Sequence, residues 1–129
     1  MGTFLTPALK SASTTFALVN ERTGEPVVTT LEIAVDSATR RKGLLGRDGL
    51  DETTGIVIAP TNAVHTFFMR FSIDIVFVTR AGRVLKICGS VPGRRIAVAL
   101  RAFAVVELAA GRARRVGLVT GDVLTVRPI

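Results

Sequence analysis

The sequence predicts an all-β, mainly antiparallel fold, a sandwich or barrel with one short helix near residues 37–46. Short segments alternate apolar and polar side chains, which is the two-residue period of a strand with one buried face. Glycine, proline, asparagine and aspartate separate these segments, as turn residues do. One segment alone has the capping residues of a helix. Many short strands joined by turns are typical of antiparallel sandwiches and barrels.

The strands are predicted from this alternation along the whole chain. They are residues 14–20, 26–35, 55–59, 73–79, 84–88, 103–108 and 123–127. Gly24 and Gly82 lie in two of the predicted hairpin turns, where the backbone needs a positive φ. Residues 1–13 are rich in serine, threonine and alanine and precede any periodic pattern. We therefore expect a flexible lead-in over residues 1–13 and a single β-rich domain over residues 14–129.

The predicted helix begins where the apolar period changes. Asp36 or Ser37 can cap its first turn, and Gly46 or Gly49 can end it. Gly43 inside so short a helix costs about 1 kcal/mol relative to alanine. We therefore expect either a close approach of another backbone at Gly43 or a helix that stops early.

Residues 60–79 are the densest source of side chains that could form a site. They contain the only histidine, His65, and four of the seven phenylalanines. Asp74 lies among apolar residues of a predicted strand, so we expect its carboxylate to be buried and held by a partner from elsewhere in the chain. A planar guanidinium binds a carboxylate through two parallel hydrogen bonds, so Arg47 is the first choice and Arg41 the second.

Cysteine content and hydropathy exclude several classes of protein. The single cysteine, Cys88, excludes an internal disulfide and a zinc site built on several cysteines. Its apolar neighbours favour a small buried side chain over a reactive thiol. No apolar run of about 18 residues or more is present, so we expect a soluble, cytoplasmic protein without a membrane partner.

The net charge of +7 is unevenly distributed. Residues 1–64 carry six basic and seven acidic side chains, whereas residues 65–129 carry eleven basic and three acidic ones. Such an excess can mark a surface that binds phosphates, other anions or nucleic acid. The basic residues are scattered singly or in short runs, as on a solvated rim, and no nucleic-acid motif is present. Nucleic-acid binding is therefore not the favoured interpretation.

Five blocks of residues resemble a known family. They are Arg41, Gly43, Leu44, Arg47 and Leu50; Gly55; His65, Phe67, Met69, Arg70 and Asp74; Glu107 and Gly111; and Gly121 and Asp122. In order and spacing they resemble the domain of unknown function 192, from about residue 40 to residue 126. The resemblance implies a compact β-sandwich of jelly-roll type and no established activity. Ser72 stands where the family commonly has proline, and Val106 and Ala109 stand where its LELPAG block has leucine and proline.

One candidate chemistry is metal binding in the densest segment. His65, Phe67 and Met69 share one face if their segment is extended. A histidine with a thioether could bind copper, but one histidine without a nearby cysteine is a poor ligand set. No metal and no cofactor is therefore predicted, and a histidine hydrogen-bonded at a strand end is the simpler interpretation.

Another candidate chemistry is that of a small hydrolase or lyase. His65 could act as the base, with Asp74 or Glu107 as the carboxylate that orients it. The candidate nucleophiles are Thr66, Ser72 and Cys88. No GxSxG motif marks any of them, so catalysis is the alternative rather than the main hypothesis.

The favoured function is a noncatalytic binding or accessory module with a shallow polar and aromatic site. Its candidate residues are Arg47, His65, Phe67, Met69 and Asp74. The ligand would be a small molecule or an anion, and the sequence specifies neither its identity nor the oligomeric state. A preformed cleft with His65 in reach of a hydroxyl or thiol would favour the enzyme. Weak anion or nucleic-acid binding through the basic second half is a further alternative.

Overall fold

The structure, a computed structural model, describes residues 2–129 and is mostly β with three short helices in that range. The strands are β1 (Phe16–Asn20), β2 (Pro26–Val28), β3 (Thr30–Ala34), β4 (Thr54–Ile58), β5 (Ala63–His65), β6 (Ile73–Val78), β7 (Val84–Val91), β8 (Ile96–Val98), β9 (Ala104–Ala109) and β10 (Leu124–Pro128). The helices are α1 (Thr6–Leu9), α2 (Ser37–Lys42) and α3 (Arg112–Arg115).

The strands form three sheets within the described residues. One has the order β10-β1-β2, a second has the order β3-β4-β9-β6-β7, and a third consists of β5 and β8. All neighbours are antiparallel except β3 and β4, which are parallel. The predicted all-β, mainly antiparallel class is confirmed. These sheets do not close into a barrel, and the jelly-roll type of the sandwich stays a prediction.

Two apolar clusters lie on opposite faces of the five-stranded sheet. Val76 and Val106 point into the first cluster, which includes side chains from the three-stranded sheet. Ile75 and Val105 point into the second cluster, which includes Leu44 from the segment after α2. Strands β6 and β9, in the middle of the sheet, are buried on both faces, and this explains their almost continuous apolar sequences.

The helix near residues 37–46 is present but shorter than predicted, and two further helices accompany it. The Asp36 carboxylate accepts a hydrogen bond from the Thr39 amide at 2.8 Å and so caps α2. The helix ends at Gly43, whose φ of 45° and ψ of −123° favour glycine. Of the two alternatives expected for Gly43, a helix that stops early is therefore the correct one. The prediction of a single helix is wrong because α1 and α3 are too short to show an apolar period.

The predicted strand over residues 26–35 is divided at Thr29. Strand β2 pairs with β1 in one sheet, and β3 pairs with β4 in another. The Thr29 and Thr30 amides both donate to the Thr53 carbonyl, at 2.9 and 3.1 Å. The chain therefore passes from one sheet to the other at this point, although its alternating pattern continues.

The N-terminal segment packs on the domain. The Phe4 amide donates to the Arg80 carbonyl at 2.7 Å, and the side chains of Leu5 and Ala8 are buried in the first cluster. This packing differs from the flexible lead-in expected over residues 1–13, of which residue 1 lies outside the described residues. The segment is held because Leu5, the residue before α1, and Ala8 within it both pack into this cluster.

A buried carboxylate connects the first hairpin to the loop before β10. Asp122 accepts hydrogen bonds from Arg22 Nε at 2.6 Å, Asn20 Nδ2 at 2.8 Å and the Val119 amide at 2.9 Å. These donors, Arg22 foremost, lower the pKa of the Asp122 carboxyl to about 2. The carboxylate therefore stays ionised and holds two distant turns together.

Among residues 2–129, no helix is both long enough and apolar enough to cross a membrane. The cytoplasmic location expected from the sequence stays a prediction.

Candidate functional site

A cavity of about 530 Å³ lies between α2 and β5, and it is called the α2–β5 cavity below. One wall is the helix with the residues that follow it, and the other is β5 with its flanking loops. Its floor is formed by β4 and β9. The lining residues are Ser37, Arg40, Arg41, Lys42, Gly43, Leu44, Leu45, Ile58, Thr61, Ala63, Val64, His65, Met69 and Glu107.

Three consecutive basic residues of α2 line the cavity. Arg40 is tied down, because its guanidinium donates to the carbonyls of Pro60 and Asp36 at 3.2 and 3.3 Å. Arg41 donates to the Ser37 carbonyl through Nε at 3.2 Å. Within residues 2–129, neither Arg41 nor Lys42 forms a salt bridge with a carboxylate. The wall therefore presents two positive charges that no acidic side chain of the described residues neutralises through a salt bridge.

Glu107 forms part of the cavity floor. It lies on β9 between Ile56 of β4 and Ile75 of β6, and only 5% of its surface is exposed. No donor from residues 2–129 forms a hydrogen bond with its carboxyl group, and a Cβ atom added at Gly43 would lie 3.6 Å from its Oε1. Burial raises the pKa of the Glu107 carboxyl to about 7. Glu107 therefore lies in the interior of the sheet and not at an exposed strand end.

His65 lies at the end of β5 and lines the cavity with Met69. The chain turns after β5, and Phe68 has a φ of 67°. The extended segment that would place His65, Phe67 and Met69 in a row is therefore absent. Phe67 contacts His65, with ring centroids 5.8 Å apart, but does not line the cavity.

Asp74 is buried as predicted, with 1% of its surface exposed, but its predicted partner is wrong. Its carboxylate accepts hydrogen bonds from the amides of Ser90, Gly111 and Ala113 at 2.8, 2.9 and 2.9 Å. It thereby connects β7 to the start of α3. This full set of backbone donors explains why a buried carboxylate needs no cation here.

Arg47 forms a two-bond ion pair with Glu32 instead, at 2.6 and 2.8 Å. The sheet register explains the error. Glu32, Ile56 and Glu107 lie opposite one another on one face of the five-stranded sheet, whereas Asp74 lies opposite Leu108 on the other face. Arg47 binds to the first face, and the sheet separates it from Asp74. The second choice, Arg41, is also wrong, because it lines the cavity and donates to the Ser37 carbonyl instead of to Asp74.

The candidate nucleophiles do not form a triad with His65. The Thr66 hydroxyl donates to the Pro92 carbonyl at 2.7 Å and accepts from the Arg95 amide at 2.9 Å. Ser72 and Cys88 do not line the cavity. His65 forms no side-chain hydrogen bond with a hydroxyl or thiol of residues 2–129. The cleft is thus preformed, but the contact expected of a hydrolase is not made.

The structure brings three sequence candidates together and separates the others. His65, Met69 and Glu107 line one cavity, whereas Arg47, Phe67 and Asp74 do not. Arg40, Arg41 and Lys42 also line the cavity, although none of them was among the predicted binding residues. The sequence signal that could have identified these residues is the run of three basic side chains directly before Gly43. In the part of the chain that the structure describes, no group of three or more His, Cys, Asp or Glu side chains could hold a metal ion.

The fold and cavity define a small β-rich domain with a ligand-sized cleft between a basic helix and a short strand pair. The chain belongs to the family DUF192, described as "Uncharacterized ACR", whose model matches residues 18–126. This confirms the resemblance found in the sequence. No curated protein has a significant match to the chain.

Two solved structures are similar to this chain. A protein of Sinorhizobium meliloti 1021, described as a "putative transcription regulator", is 23% identical, with a TM-score of 0.75 over 86% of this chain and 91% of that one. A protein of unknown function from Novosphingobium aromaticivorans DSM 12444 is 25% identical, with a TM-score of 0.74 over 85% and 82% of the two chains. The first likeness concerns the fold alone. The chain therefore has a fold seen in solved structures and belongs to a family described as uncharacterised.

Proposed function

We propose that the protein is a noncatalytic binding module whose ligand is a small anionic molecule held in the α2–β5 cavity. The observation that carries the proposal is the Glu107 side chain, which lies at the cavity floor with 5% of its surface exposed and has no hydrogen-bond donor among residues 2–129. Its carboxyl oxygens are not sealed in the core but are accessible from the cavity. A largely buried carboxyl group with a raised pKa that opens into a cleft indicates a site for a ligand. The cavity also has the size and mixed lining of small-molecule sites.

The charges of the cavity indicate the ligand's chemistry. Arg41 and Lys42 carry positive charges without acidic partners at one wall, so they favour a carboxylate or phosphate. Glu107 has a pKa of about 7 and is partly protonated near neutral pH. As a carboxylic acid it donates a hydrogen bond to a ligand oxygen, and as a carboxylate it accepts one. An anionic ligand with a second polar group would bind both the basic residues of the wall and the Glu107 carboxyl group.

A thermal-shift screen of small carboxylates and phosphates tests this proposal. A ligand that binds only the folded state raises the unfolding midpoint as its concentration exceeds its dissociation constant. We expect Arg41→Gln and Glu107→Gln each to abolish the shift. Arg127→Gln is the matched control, since it removes one positive charge from an exposed position on β10, in the other sheet. Equal loss in the control would mean that the effect is one of net charge, and the proposal would be wrong.

A second candidate function is proton transfer on a bound substrate by Glu107 with His65. The supporting observation is that both side chains line one cavity and that the pKa of Glu107 is close to neutral, as a general acid or base requires. Ligands found in the screen should then be converted on incubation, as followed by proton NMR. If the wild-type protein converts a ligand and Glu107→Gln does not, the protein is a small lyase or isomerase and not a binding module.

The basic second half of the chain contributes little to this proposal. Arg70 forms an ion pair with Asp48, and Arg112 and Arg115 both bind Glu52. The free cations of the cavity come from residues 41 and 42, in the first half. Anion binding is therefore proposed through α2, and the low expectation of nucleic-acid binding stays a prediction.

A further inference from the structure

Strand β5 pairs with β8 alone among residues 2–129, so its other edge is free, and all three of its residues line the α2–β5 cavity. We infer that the ligand is a short peptide ending in a free carboxylate, which binds as an added strand beside His65. This inference rests on the proposed function, because it assigns a ligand class to the same site. Strand addition is a common mode of peptide recognition, in which main-chain hydrogen bonds supply affinity and pockets for alternate side chains supply specificity.

The hydrogen bonds of β5 show which of its main-chain groups are free. Among residues 2–129 it pairs with β8 alone, in antiparallel register. The Thr66 amide donates to the Arg95 carbonyl at 2.8 Å, and the Ala99 amide donates to the Asn62 carbonyl at 2.9 Å. In an antiparallel pair the bonded positions alternate, so Val64 is bonded to β8 as well. The N–H and C=O groups of the residues on either side of Val64 therefore point away from β8.

The main-chain groups of one of these two residues, Ala63, already have a hydrogen-bond partner within the chain. The Ala63 carbonyl accepts a hydrogen bond from the Thr61 hydroxyl at 2.8 Å, and the Ala63 amide lies 3.4 Å from the same oxygen. The N–H and C=O of His65 are the groups that remain. A donor and an acceptor on one residue match the C=O and N–H of one peptide residue, which exchange two bonds in an antiparallel ladder.

The other surfaces of the cavity suit the rest of a peptide. Arg41 and Lys42 of the helix lie across from β5 and carry the charges that a terminal carboxylate needs. Ile58, Val64 and Met69 line the cavity beside Glu107 and accept an apolar side chain pointing to the floor. Because strand side chains alternate, the next side chain of the peptide would face solvent. A free edge with one available bonding position fits a segment of two or three residues.

The probes are pools of N-acetylated tripeptides with a free C-terminal carboxylate, in which the last residue is fixed and the other two are randomised. Each pool is titrated into the full chain labelled with nitrogen-15, and amide shifts are followed by NMR. We expect a pool with an apolar residue to shift the His65 amide resonance and slow its hydrogen exchange. For the best individual peptide, amidation of the carboxylate or N-methylation of the pairing amide should each weaken binding about tenfold or more.

Two proline variants test the main-chain bond of His65. His65→Pro removes the His65 N–H and should weaken peptide binding about tenfold, whereas Ile96→Pro, which lies opposite His65 on β8 and outside the cavity lining, should keep it within about threefold. If His65→Pro does not fold, the N-methylated peptide tests the same bond on the wild-type protein. Binding unaffected by amidation and by N-methylation would overturn the inference.

The small-anion screen separates the two proposals. If simple carboxylates or phosphates bind in the cavity and no peptide pool does, the peptide inference is wrong and the anion-binding function stands. If neither class binds, both are wrong.

Discussion

Two buried carboxylates in adjacent strands have opposite environments. Asp74 accepts three backbone hydrogen bonds, whereas Glu107 has no donor among the described residues. The strand register places them on opposite faces of the five-stranded sheet. A carboxylate held by three amides stabilises the fold, whereas a desolvated carboxyl group without a donor costs stability when it is ionised. We therefore interpret Asp74 as structural and Glu107 as functional.

Removing the Asp74 carboxylate should destabilise the protein independently of Arg47. Asp74→Ala leaves three amides, that of buried Ala113 among them, without their acceptor and should cost roughly 3 kcal/mol. Arg47→Ala breaks a half-exposed pair with Glu32 and should cost about 1 kcal/mol or less. Urea unfolding of the double mutant should give the sum within about 0.5 kcal/mol. A coupling energy well above that value would mean that the two side chains interact.

Glu107 should make the protein less stable as pH rises. Its pKa is 4.5 when unperturbed and about 7 in the folded protein, so the folded state holds the proton that the unfolded state loses between these values. The free energy of unfolding should fall as pH increases from about 4.5 to above 7, by roughly 3 kcal/mol in total. Urea unfolding of Glu107→Gln should lack this decrease.

The control for this pH dependence is Glu32→Gln, on the same face of the sheet. The hydrogen bond from Arg47 lowers the pKa of Glu32, so its stabilising effect is present above pH 4.5 and fades only as pH falls below it. Between pH 5 and 9 this variant should keep the wild-type slope. A Glu107→Gln profile parallel to wild type would show that Glu107 ionises freely in the folded protein.

At the scale of elements, the end of α2 determines the shape of the cavity. The Asp36 cap sets the start of the helix, and Gly43 turns the chain toward the floor. Leu44, the next residue, is buried in the second apolar cluster. The helix is therefore held at both ends, and its basic residues face the cleft.

Gly43→Ala should destabilise the protein through its backbone. A side chain in this conformation costs roughly 1–3 kcal/mol, and the added methyl group would contact Ile58 and Glu107. Gly117→Ala is the matched control, since Gly117 has a φ of 67° and open space around it. It should cost about 1 kcal/mol. Thermal unfolding of both variants measures the difference, and equal midpoints would contradict this account of the turn.

At the scale of the whole molecule, the two faces of the five-stranded sheet serve different purposes. The first face is sealed by the three-stranded sheet and by α1. The second is covered by the strand pair β5 and β8 and by the segment after α2. These smaller elements leave the gap that forms the cavity. Sealing one face gives stability, and incomplete covering of the other gives a site.

The N-terminal segment should contribute to stability because it helps to seal the first face. Leu5 is 1% exposed, so Leu5→Ala should cost roughly 2–5 kcal/mol. Leu9, on the same helical turn, is 58% exposed, and Leu9→Ala should change stability by about 0.5 kcal/mol or less. Urea unfolding compares the two variants. If Leu5→Ala were as stable as Leu9→Ala, the flexible lead-in would be the better description.

Local patterns in the sequence determined most of the strands, the capped helix and the family, but they missed the short strands β5 and β8. Alternation assigns a residue to one of two faces, so the burial of Asp74 between apolar neighbours could be predicted. The Asp36 cap and the glycines of the hairpin turns act over a few residues and were visible for the same reason. The division of the strand at Thr29 could not be predicted, because apolar and polar residues continue to alternate where the chain passes from one sheet to the other.

Only the tertiary structure decided which side chains meet. The order β3-β4-β9-β6-β7 places Glu107 in the middle of the sheet and opposite Ile56, and no local pattern encodes that order. The same order places Arg47 beside Glu32 rather than Asp74. Alternation specifies which face of a strand a side chain lies on. It specifies neither the neighbouring strands nor the elements that cover that face, because pairing and packing join segments far apart in the chain. For this reason the cavity between α2 and β5 could not be found from the sequence.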